Sequence, residues 1–421
     1  MMKIVYMAIV FLLIHSCHPK KDKRTKFLER VFSVTKDEIK GAGDDWDVVN
    51  TDIENITVAD GRGIILNMSD FIDSVFYVPL QTTSNSLIGK IDKIYQDENT
   101  IIIVDKDVAK AIFIFDNAGK FLSKISKLGE GPDEYKTITD VTVDFSEKKV
   151  EVLDNVKRKI FSYDFKGTLK NVLSYPLFIM RIEKLSASNM LWFNDDELNS
   201  HIPQFDNYRL FMSNPNGEIL KKAFQFEKRN QNFHYSNVKS MVRHGNSVYY
   251  TPRLLNLIFK IDSQRITPLY QLDLQGRGFA DREIEDLTDN LYLERRNEND
   301  FFLFNGEYSI NDTYVYGKIF NKKSIFCFFY NKREKESFVL SGLNTDIPDA
   351  VLFNFPYTGY KDLFIAPLQS FEVFEANKNL PFMEERKSKA LSDLYTRIKV
   401  DDNPILMYYS LKGEIKKTKS Q

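Results

Sequence analysis

Short apolar segments separated by polar turns fill most of the chain after about residue 55. Segments such as IIIVD and VEVLD are rich in β-branched residues and are too short for helices. The turns DNAG and DFKG begin with aspartate and end with glycine, which readily adopts φ > 0 between two strands. The pattern predicts antiparallel strands joined by tight hairpins.

The strands recur in a repeating unit. Residues 90–125 and 137–173 can be aligned as strand, polar turn, strand ending in Asp, basic loop, strand ending in Asp, glycine turn and strand. The turn glycines Gly119, Gly167 and Gly217 follow one another at intervals of about 48 to 50 residues. Four antiparallel strands in about 40–50 residues are typical of a β-propeller blade.

Three further units follow in the second half of the chain, beginning near SMVRHGNSVYY, TYVYGKIF and DLFIAPL. Polar, helix-favouring stretches interrupt them near 281–300 and 383–398, where Leu391, Leu394 and Ile398 have helical spacing. The last unit lacks one strand, which IILNM or SVFYVPL near the start of the chain can supply. We therefore predict an all-β, six-bladed propeller over residues 55–416, closed by an N-terminal strand and carrying two short helical insertions.

The first 17 residues form a predicted leader. Lys3 precedes an apolar run from Ile4 to Ile14, which is too short to span a bilayer and is typical of a signal peptide. Ile14-His15-Ser16-Cys17 resembles a bacterial lipobox, in which the cysteine is lipidated after cleavage. An ordinary secretory peptide is the alternative. Residues 18–54 are interpreted as a tether and N-terminal extension. The tether begins HPKKDKRTK, which is predominantly basic, and this favours the periplasmic face of the outer membrane over the cell surface.

Composition narrows the possible functions. The chain has 421 residues and a formal net charge of −1, which argues against nucleic acid as a partner. The 34 Phe and 21 Tyr support a sheet protein. Cys17 and Cys327 are the only cysteines, and Cys327 lies in the apolar run SIFCFFY, so we predict a buried free thiol and no disulfide.

Three segments carry a family resemblance. FIDSVFYVPLQTTSNSLIGKIDKIYQDENTIIIVD, FDNAGKFLSKISKLGEGPDEY and DNPILMYYSLKGEI resemble the six-bladed β-propeller lipoproteins of Bacteroides-type bacteria, whose blades are similar to NHL repeats. The resemblance implies a six-bladed fold and an exported lipoprotein. It implies no defined activity, because a fold does not determine function.

One candidate binding feature is the loop Gly129–Tyr135, which joins the first two blades. Its glycines permit a tight path, and its acidic residues, Glu134 among them, can bind a cation or a sugar hydroxyl. The alternative is a purely structural crossover.

A second feature is a set of basic loops between the second and third strands of the blades. They contribute Lys106, Lys110, Lys157, Arg158, Arg253, Lys322 and Lys323. Cations that converge on one mouth of a propeller attract an anionic ligand such as an acidic glycan, although solvated turns give the same pattern. Nearby, His201 lies in a long loop, and Trp192 either stacks on a sugar or packs in the core.

No catalytic residue is assigned. The histidines lack metal-ligand spacing, and no G-x-S-x-G motif is present. We predict no cofactor, while scattered Asp and Asn residues leave a Ca²⁺ site open and the metal unknown. The favoured function is a non-catalytic binding or scaffold lipoprotein for an acidic glycan or an envelope protein. The alternative is a metal-dependent propeller enzyme, a lactonase, lyase or glycan-acting hydrolase, with carboxylates around a central ion.

Overall fold

The computed structural model describes residues 41, 43–49, 52–194, 199–226, 239–280, 283–284, 287–350, 352–378 and 388–413. Cys17, the rest of the predicted leader and most of the predicted tether lie outside these residues. The described residues form six blades, each built on four antiparallel strands, which confirms the predicted fold class.

The N-terminal elements precede the first complete blade. They are β1 (Asp44–Asp45), β2 (Glu54–Thr57), β3 (Ile65–Asn67), the one-turn helix α1 (Met68–Phe71) and β4 (Ile72–Pro79).

Blades 1 to 3 follow in chain order. Blade 1 contains β5 (Lys93–Gln96), β6 (Thr100–Asp105), β7 (Ala111–Asp116) and β8 (Phe121–Ile125). Blade 2 contains β9 (Asp140–Asp144), β10 (Lys149–Asp154), β11 (Lys159–Asp164) and β12 (Leu169–Ser174). Blade 3 contains β13 (Arg181–Ser186), β14 (Asn189–Phe193), β15 (Tyr208–Ser213) and β16 (Ile219–Gln225), with a 3₁₀ turn at Pro203–Phe205.

Blades 4 to 6 carry the helical insertions. Blade 4 contains β17 (Met241–His244), β18 (Ser247–Tyr250), β19 (Leu257–Ile261) and β20 (Ile266–Asp273), and α2 (Asp289–Arg296) follows it. Blade 5 contains β21 (Leu303–Ile310), β22 (Tyr314–Asn321), β23 (Ser324–Asn331) and β24 (Glu336–Leu340), followed by the short strand β25 (Gly342–Asn344). Blade 6 contains β26 (Thr358–Tyr360), β27 (Leu363–Leu368), α3 (Ser370–Lys378), α4 (Lys389–Arg397) and β28 (Ile405–Leu411).

The ring closes where the two ends of the described chain meet. Strand β4 pairs antiparallel with β28, with Ile405 opposite Pro79, and supplies the outer strand of blade 6. The segment SVFYVPL therefore belongs to the last blade. IILNM does not: its residues Ile65–Asn67 pair in parallel with β25 in a separate two-stranded sheet.

An N-terminal strap, residues 43–49 and 52–67, lies on the outside of the ring. Within it, β1 pairs in parallel with β16 of blade 3, and β2 pairs in parallel with β20 of blade 4. Trp46 of the strap is buried. Part of the segment predicted as tether and extension thus covers blade edges, which protects unpaired backbone groups from other chains.

Hydrophobic clusters fill the interfaces between neighbouring blades. Between blades 1 and 2, for example, Ile102 and Val104 pack with Val141 and Val150, all fully buried. Each such side chain contributes about 1.5–3 kcal/mol when it leaves water. Because every blade packs on two others, these interfaces hold the inner strands in fixed positions around the central channel.

Both predicted helical insertions are present. The side chain of Ser388 caps α4 by accepting a hydrogen bond of 3.1 Å from the backbone N–H of Leu391. Leu391, Leu394 and Ile398 then pack into the cluster between blades 5 and 6. Leu391 and Leu394 therefore mark the buried face of the helix, and Ile398 is buried directly after its last residue.

Candidate functional site

The propeller has two faces that differ in their connections. The crossover face carries the connections between blades and the loops between second and third strands. The hairpin face carries the turns between first and second strands and between third and fourth strands. The first strands of five blades line the central channel, which opens on both faces.

A cavity of about 420 Å³ occupies the channel mouth on the crossover face. Its lining comes mainly from the starts of the first strands and the residues just before them. The charged residues of the lining are Asp92, Lys93, Lys106, Asp140, Arg181, Glu183, Lys239 and Arg243. Five are cations and three are carboxylates, so the mouth is positive although the whole chain is nearly neutral. A cavity of this size, with a few convergent polar groups, is typical of a small-ligand site.

The three carboxylates at this mouth are occupied by protein groups. Lys93 Nζ lies 2.8 Å from Asp140 Oδ1, and Asp140 is only 2% exposed. Glu183 accepts a hydrogen bond of 2.8 Å from the Thr142 hydroxyl, and the Tyr95 hydroxyl lies 2.9 Å from its other oxygen. Burial beside Glu183 raises the pKa of Tyr95 well above its usual value.

Asp92 is held in a similar way. Lys90 Nζ lies 2.8 Å from one carboxylate oxygen, and the backbone N–H of Lys106 donates to the other at 2.7 Å. These groups join blades 1, 2 and 3 at the axis, and the carboxylates therefore act as structural acceptors.

Two lysines of the lining have no carboxylate within ion-pair distance among the described residues. Lys106 Nζ lies 3.5 Å from the carbonyl oxygen of Thr139. Lys239 Nζ donates to the carbonyl oxygen of Tyr357 and lies 3.7 Å from the centre of the Tyr357 ring. Burial lowers the pKa of Lys239 to about 8. Both ammonium groups are available to a bound anion, which would replace the lost hydration of Lys239.

The opposite mouth pairs basic side chains with carboxylates. The cavity there measures about 590 Å³. His244 Nε2 lies 2.8 Å from Asp312 Oδ1, and Lys361 Nζ lies 3.3 Å from Glu98 Oε1. Since both basic side chains are already paired with carboxylates, this mouth is less suited to an anion than the crossover mouth.

The described residues contain no group of three or more His, Cys, Asp or Glu side chains arranged to hold a metal ion. The first-strand carboxylates of the crossover mouth, Asp140 and Glu183, bind lysine, tyrosine and threonine instead. The described part of the channel therefore lacks the ring of carboxylates that the metal-dependent alternative requires.

The predicted acidic loop folds around its own residues. Glu134 Oε2 accepts a hydrogen bond of 2.8 Å from the backbone N–H of Gly131. Lys157 Nζ donates to the carbonyl oxygens of Gly131, at 2.9 Å, and Glu134, at 2.8 Å. The structure thus brings Lys157 and Glu134 together, but as a clamp on the crossover between blades 1 and 2.

Of the two interpretations left open for Trp192, the structure supports core packing and not a stacking site. It is fully buried, and its ring centre lies 6.0 Å from that of Tyr175 in the cluster between blades 2 and 3. A sugar cannot reach it. His201 is near the same cluster, where its Nε2 lies 2.7 Å from the carbonyl oxygen of Pro176.

Arg158 and Arg253 lie in equivalent basic loops of blades 2 and 4. Arg158 has a φ of 54°, and Lys110 occupies the same left-handed position in blade 1 with a φ of 49°. Neither Arg158 nor Arg253 lines the crossover-mouth cavity, and the same is true of Lys157, Glu134, Trp192 and His201. Of the predicted basic-loop residues, Lys106 alone belongs to that lining.

Sequence reasoning missed Lys239 and Glu183. The sequence does contain one indication for Glu183. The segment RIEKL has charged residues within a short strand, and the position of this strand in the repeat makes it the first, innermost strand of its blade. Lys239 lies just before the first strand of blade 4, and no sequence pattern distinguishes it from other lysines. Its environment depends on Tyr357, which belongs to blade 6.

These observations define the class: the protein is a six-bladed β-propeller with a positively charged cavity at one channel mouth. The family model of DUF4934, a domain of unknown function, matches residues 53–410. The chain belongs to the DUF4934 family.

One solved structure supports the same fold. A protein of Bacteroides fragilis described as exported has 16% sequence identity, with 86% of this chain and 100% of that chain covered and a TM-score of 0.67. A DUF4221 family member from Bacteroides vulgatus has 10% identity, coverage of 81% and 97%, and a TM-score of 0.44. No curated protein matches the chain. In the described residues, no helix is long and apolar enough to cross a membrane.

Proposed function

We propose that this protein is an exported, non-catalytic binding propeller whose crossover-mouth cavity holds a carboxylate group of an acidic glycan. The observation that carries this proposal is the pair of lysines, Lys106 and Lys239, that line the cavity without a carboxylate partner in the part of the chain that the structure describes. The similarity to an exported protein of Bacteroides supports a location outside the cytoplasm.

The physical argument concerns solvation. Lys239 has lost part of its hydration, and the Tyr357 carbonyl and ring compensate for only part of that loss. A ligand carboxylate placed beside Lys239 would regain charge-assisted hydrogen bonds, which are about twice as strong as neutral ones. The apolar residues of the lining, such as Ile94 and Met180, offer a surface to the ring carbons of a sugar.

The proposal is tested by comparing oligogalacturonate with a neutral galactose oligomer of the same length, using calorimetry on the full chain in a polyoxyethylene detergent. We expect the acidic oligomer to bind and the neutral one to bind at least about tenfold more weakly, which corresponds to 1.4 kcal/mol. Lys239→Gln and Lys106→Gln should each weaken binding. Lys335→Gln, which removes a lysine paired with Glu54 at the outer rim, should not.

The pH dependence gives a second test. Lys239 is charged below its pKa of about 8 and neutral above it, so affinity for the acidic oligomer should fall as the pH rises from 7 to 9. Equal binding of acidic and neutral oligomers, or no binding of either, would contradict the proposal. If an acidic envelope protein bound and the acidic oligomer did not, the glycan proposal would be wrong and the ligand would be a protein.

We also propose that Cys17 carries a lipid and that the protein is anchored at the periplasmic face of the outer membrane. The support is the short apolar leader and the lipobox-like Ile14–Cys17 segment. Globomycin treatment of expressing cells should cause the uncleaved precursor to accumulate, and Cys17→Ser should abolish incorporation of labelled palmitate into the protein. Unchanged processing in the presence of globomycin would exclude lipidation.

A further inference from the structure

The interface between blades 2 and 3 changes its chemistry from one face to the other. Near the crossover face it is apolar, and Ile182, Trp192 and Phe211 are fully buried there. Towards the hairpin face, Glu151, Ser162 and Lys184 take the place of apolar residues. A cavity of about 310 Å³ remains between the blades at this point.

Glu151 is the unusual member of this cavity. It is only 9% exposed and lies in β10 between Val150 and Val152, which are fully buried on the side of blade 1. The Ser162 hydroxyl forms a hydrogen bond to the carboxylate, yet Oε2 has no partner among the described residues. Burial raises the pKa of Glu151. A buried acceptor without a donor destabilises the folded state, so a ligand that supplies the donor regains that energy on binding.

The surrounding charges restrict the kind of donor. Three lysines and three carboxylates line the cavity, which is therefore neutral as a whole. Lys184, whose side chain is 9% exposed, lies 3.5 Å from Asp144 and is held close to Glu151. The lysines oppose entry of a second cation, and the carboxylates oppose an anion. A neutral hydroxyl satisfies both sides, because it donates to a carboxylate and accepts from an ammonium or amide group.

The remaining lining suits a sugar ring. The side-chain amide of Asn189 has no partner among the described residues and can bind an adjacent hydroxyl. Leu173 and Met190 provide apolar surface for ring carbons. We propose that this inter-blade cavity is a second binding site, for a neutral sugar residue whose hydroxyl donates to Glu151 Oε2. It lies at the hairpin face and does not depend on the acidic-glycan site at the crossover mouth.

The experiment is saturation-transfer NMR on the full chain with D-glucose, D-galactose, D-mannose, L-fucose and N-acetyl-D-glucosamine. The protein is kept in a polyoxyethylene detergent, because a detergent with a sugar headgroup would compete for the site. We expect at least one sugar to bind in the millimolar range, and Glu151→Gln to weaken it at least about tenfold, as loss of a hydrogen bond to a charged group requires. Asn189→Ala should also weaken it.

Two controls separate the possible explanations. Glu130→Gln makes the same charge change at an exposed position of the crossover face and should leave sugar binding unchanged. Lys239→Gln should also leave it unchanged, which distinguishes failure at this site from failure at the crossover mouth. If none of the five sugars binds, or if binding survives both Glu151→Gln and Asn189→Ala, the cavity is filled by water and the proposal is wrong.

Discussion

At the residue scale, the buried charges of this propeller are of two kinds. Asp140 is satisfied by Lys93, whereas one oxygen of Glu151 has no donor among the residues that the structure describes. An unsatisfied buried carboxylate opposes folding, and proteins retain such groups where a site needs them. Measurements of stability can therefore distinguish structural charges from those kept for binding.

Glu151→Gln should raise the free energy of unfolding by about 1 kcal/mol at pH 8. The folded-state pKa of Glu151 is raised, so the folded state binds its proton more readily than the unfolded state does. The wild-type protein consequently loses stability as the pH rises from the unfolded pKa through the folded one. The advantage of the glutamine variant should be complete above that range and should shrink towards pH 4. Urea titrations at both pH values test this, and a less stable variant at pH 8 would contradict it.

Cys327 should be chemically inert in the folded protein. Burial raises its pKa to about 12, and its Sγ lies 3.4 Å from the Tyr316 hydroxyl. Since the thiolate is the reactive form, a thiol reagent at pH 8 should label this cysteine only after denaturation. Labelling of the native Cys17→Ser variant at the rate of a free thiol would show that the cluster between blades 5 and 6 opens readily.

At the element scale, the repeated glycine hairpins are equivalent in conformation and different in surroundings. Gly119 and Gly167 have φ values of 81° and 80° in the last hairpins of blades 1 and 2. A Cβ on Gly119 would lie 2.1 Å from the carbonyl oxygen of Pro79 in the closing strand β4. A Cβ on Gly167 meets its nearest atom at 3.6 Å, an ordinary contact.

Gly119→Ala should therefore destabilise the protein more than Gly167→Ala. The alanine at Gly167 adopts a left-handed conformation, at a cost of about 1–2 kcal/mol. The alanine at Gly119 also collides with backbone, which adds about 1–3 kcal/mol and weakens the seal between blade 1 and the closing strand. Thermal unfolding of the two variants measures the difference. Equal destabilisation would show that β4 moves freely enough to accommodate the methyl group.

At the scale of the whole molecule, charged groups on the first strands join blades 1 to 3 around the axis. Lys93 of blade 1 binds Asp140 of blade 2, and its Nζ also lies 4.0 Å from Glu183 of blade 3. The surface pair of Lys335 and Glu54 connects the rim to the N-terminal strap. The first group is largely buried and the second is exposed, so equal charge changes should have unequal effects.

Lys93→Met should lower the free energy of unfolding by about 3 kcal/mol, because it leaves Asp140 buried without its cation. Lys335→Met, the matched control, should cost less than about 1 kcal/mol. Chemical denaturation of both variants provides the comparison. Similar small losses would indicate that water reaches the axis and solvates Asp140.

The sequence by itself determined the number of blades, their strand pattern, two helical insertions and the closure by an N-terminal strand, while the choice of SVFYVPL over IILNM came from the structure. These properties follow from the alternation of apolar and polar residues, from the residues at the turns and from the length of the repeat, all of which are local features of the sequence. The sequence also indicated that Cys327 is buried, because it lies within an apolar strand.

Only the tertiary structure decided which charged residues meet. The basic loops place Lys157 and Arg158 on the same face as the cavity, yet Lys157 clamps a crossover, and neither residue lines the channel mouth. Lys239 acquires its environment from Tyr357, which is more than a hundred residues away in the chain. The burial and pairing of charges depend on distances between blades. The pattern of residues within one blade does not determine those distances, so the sequence did not predict which charges meet.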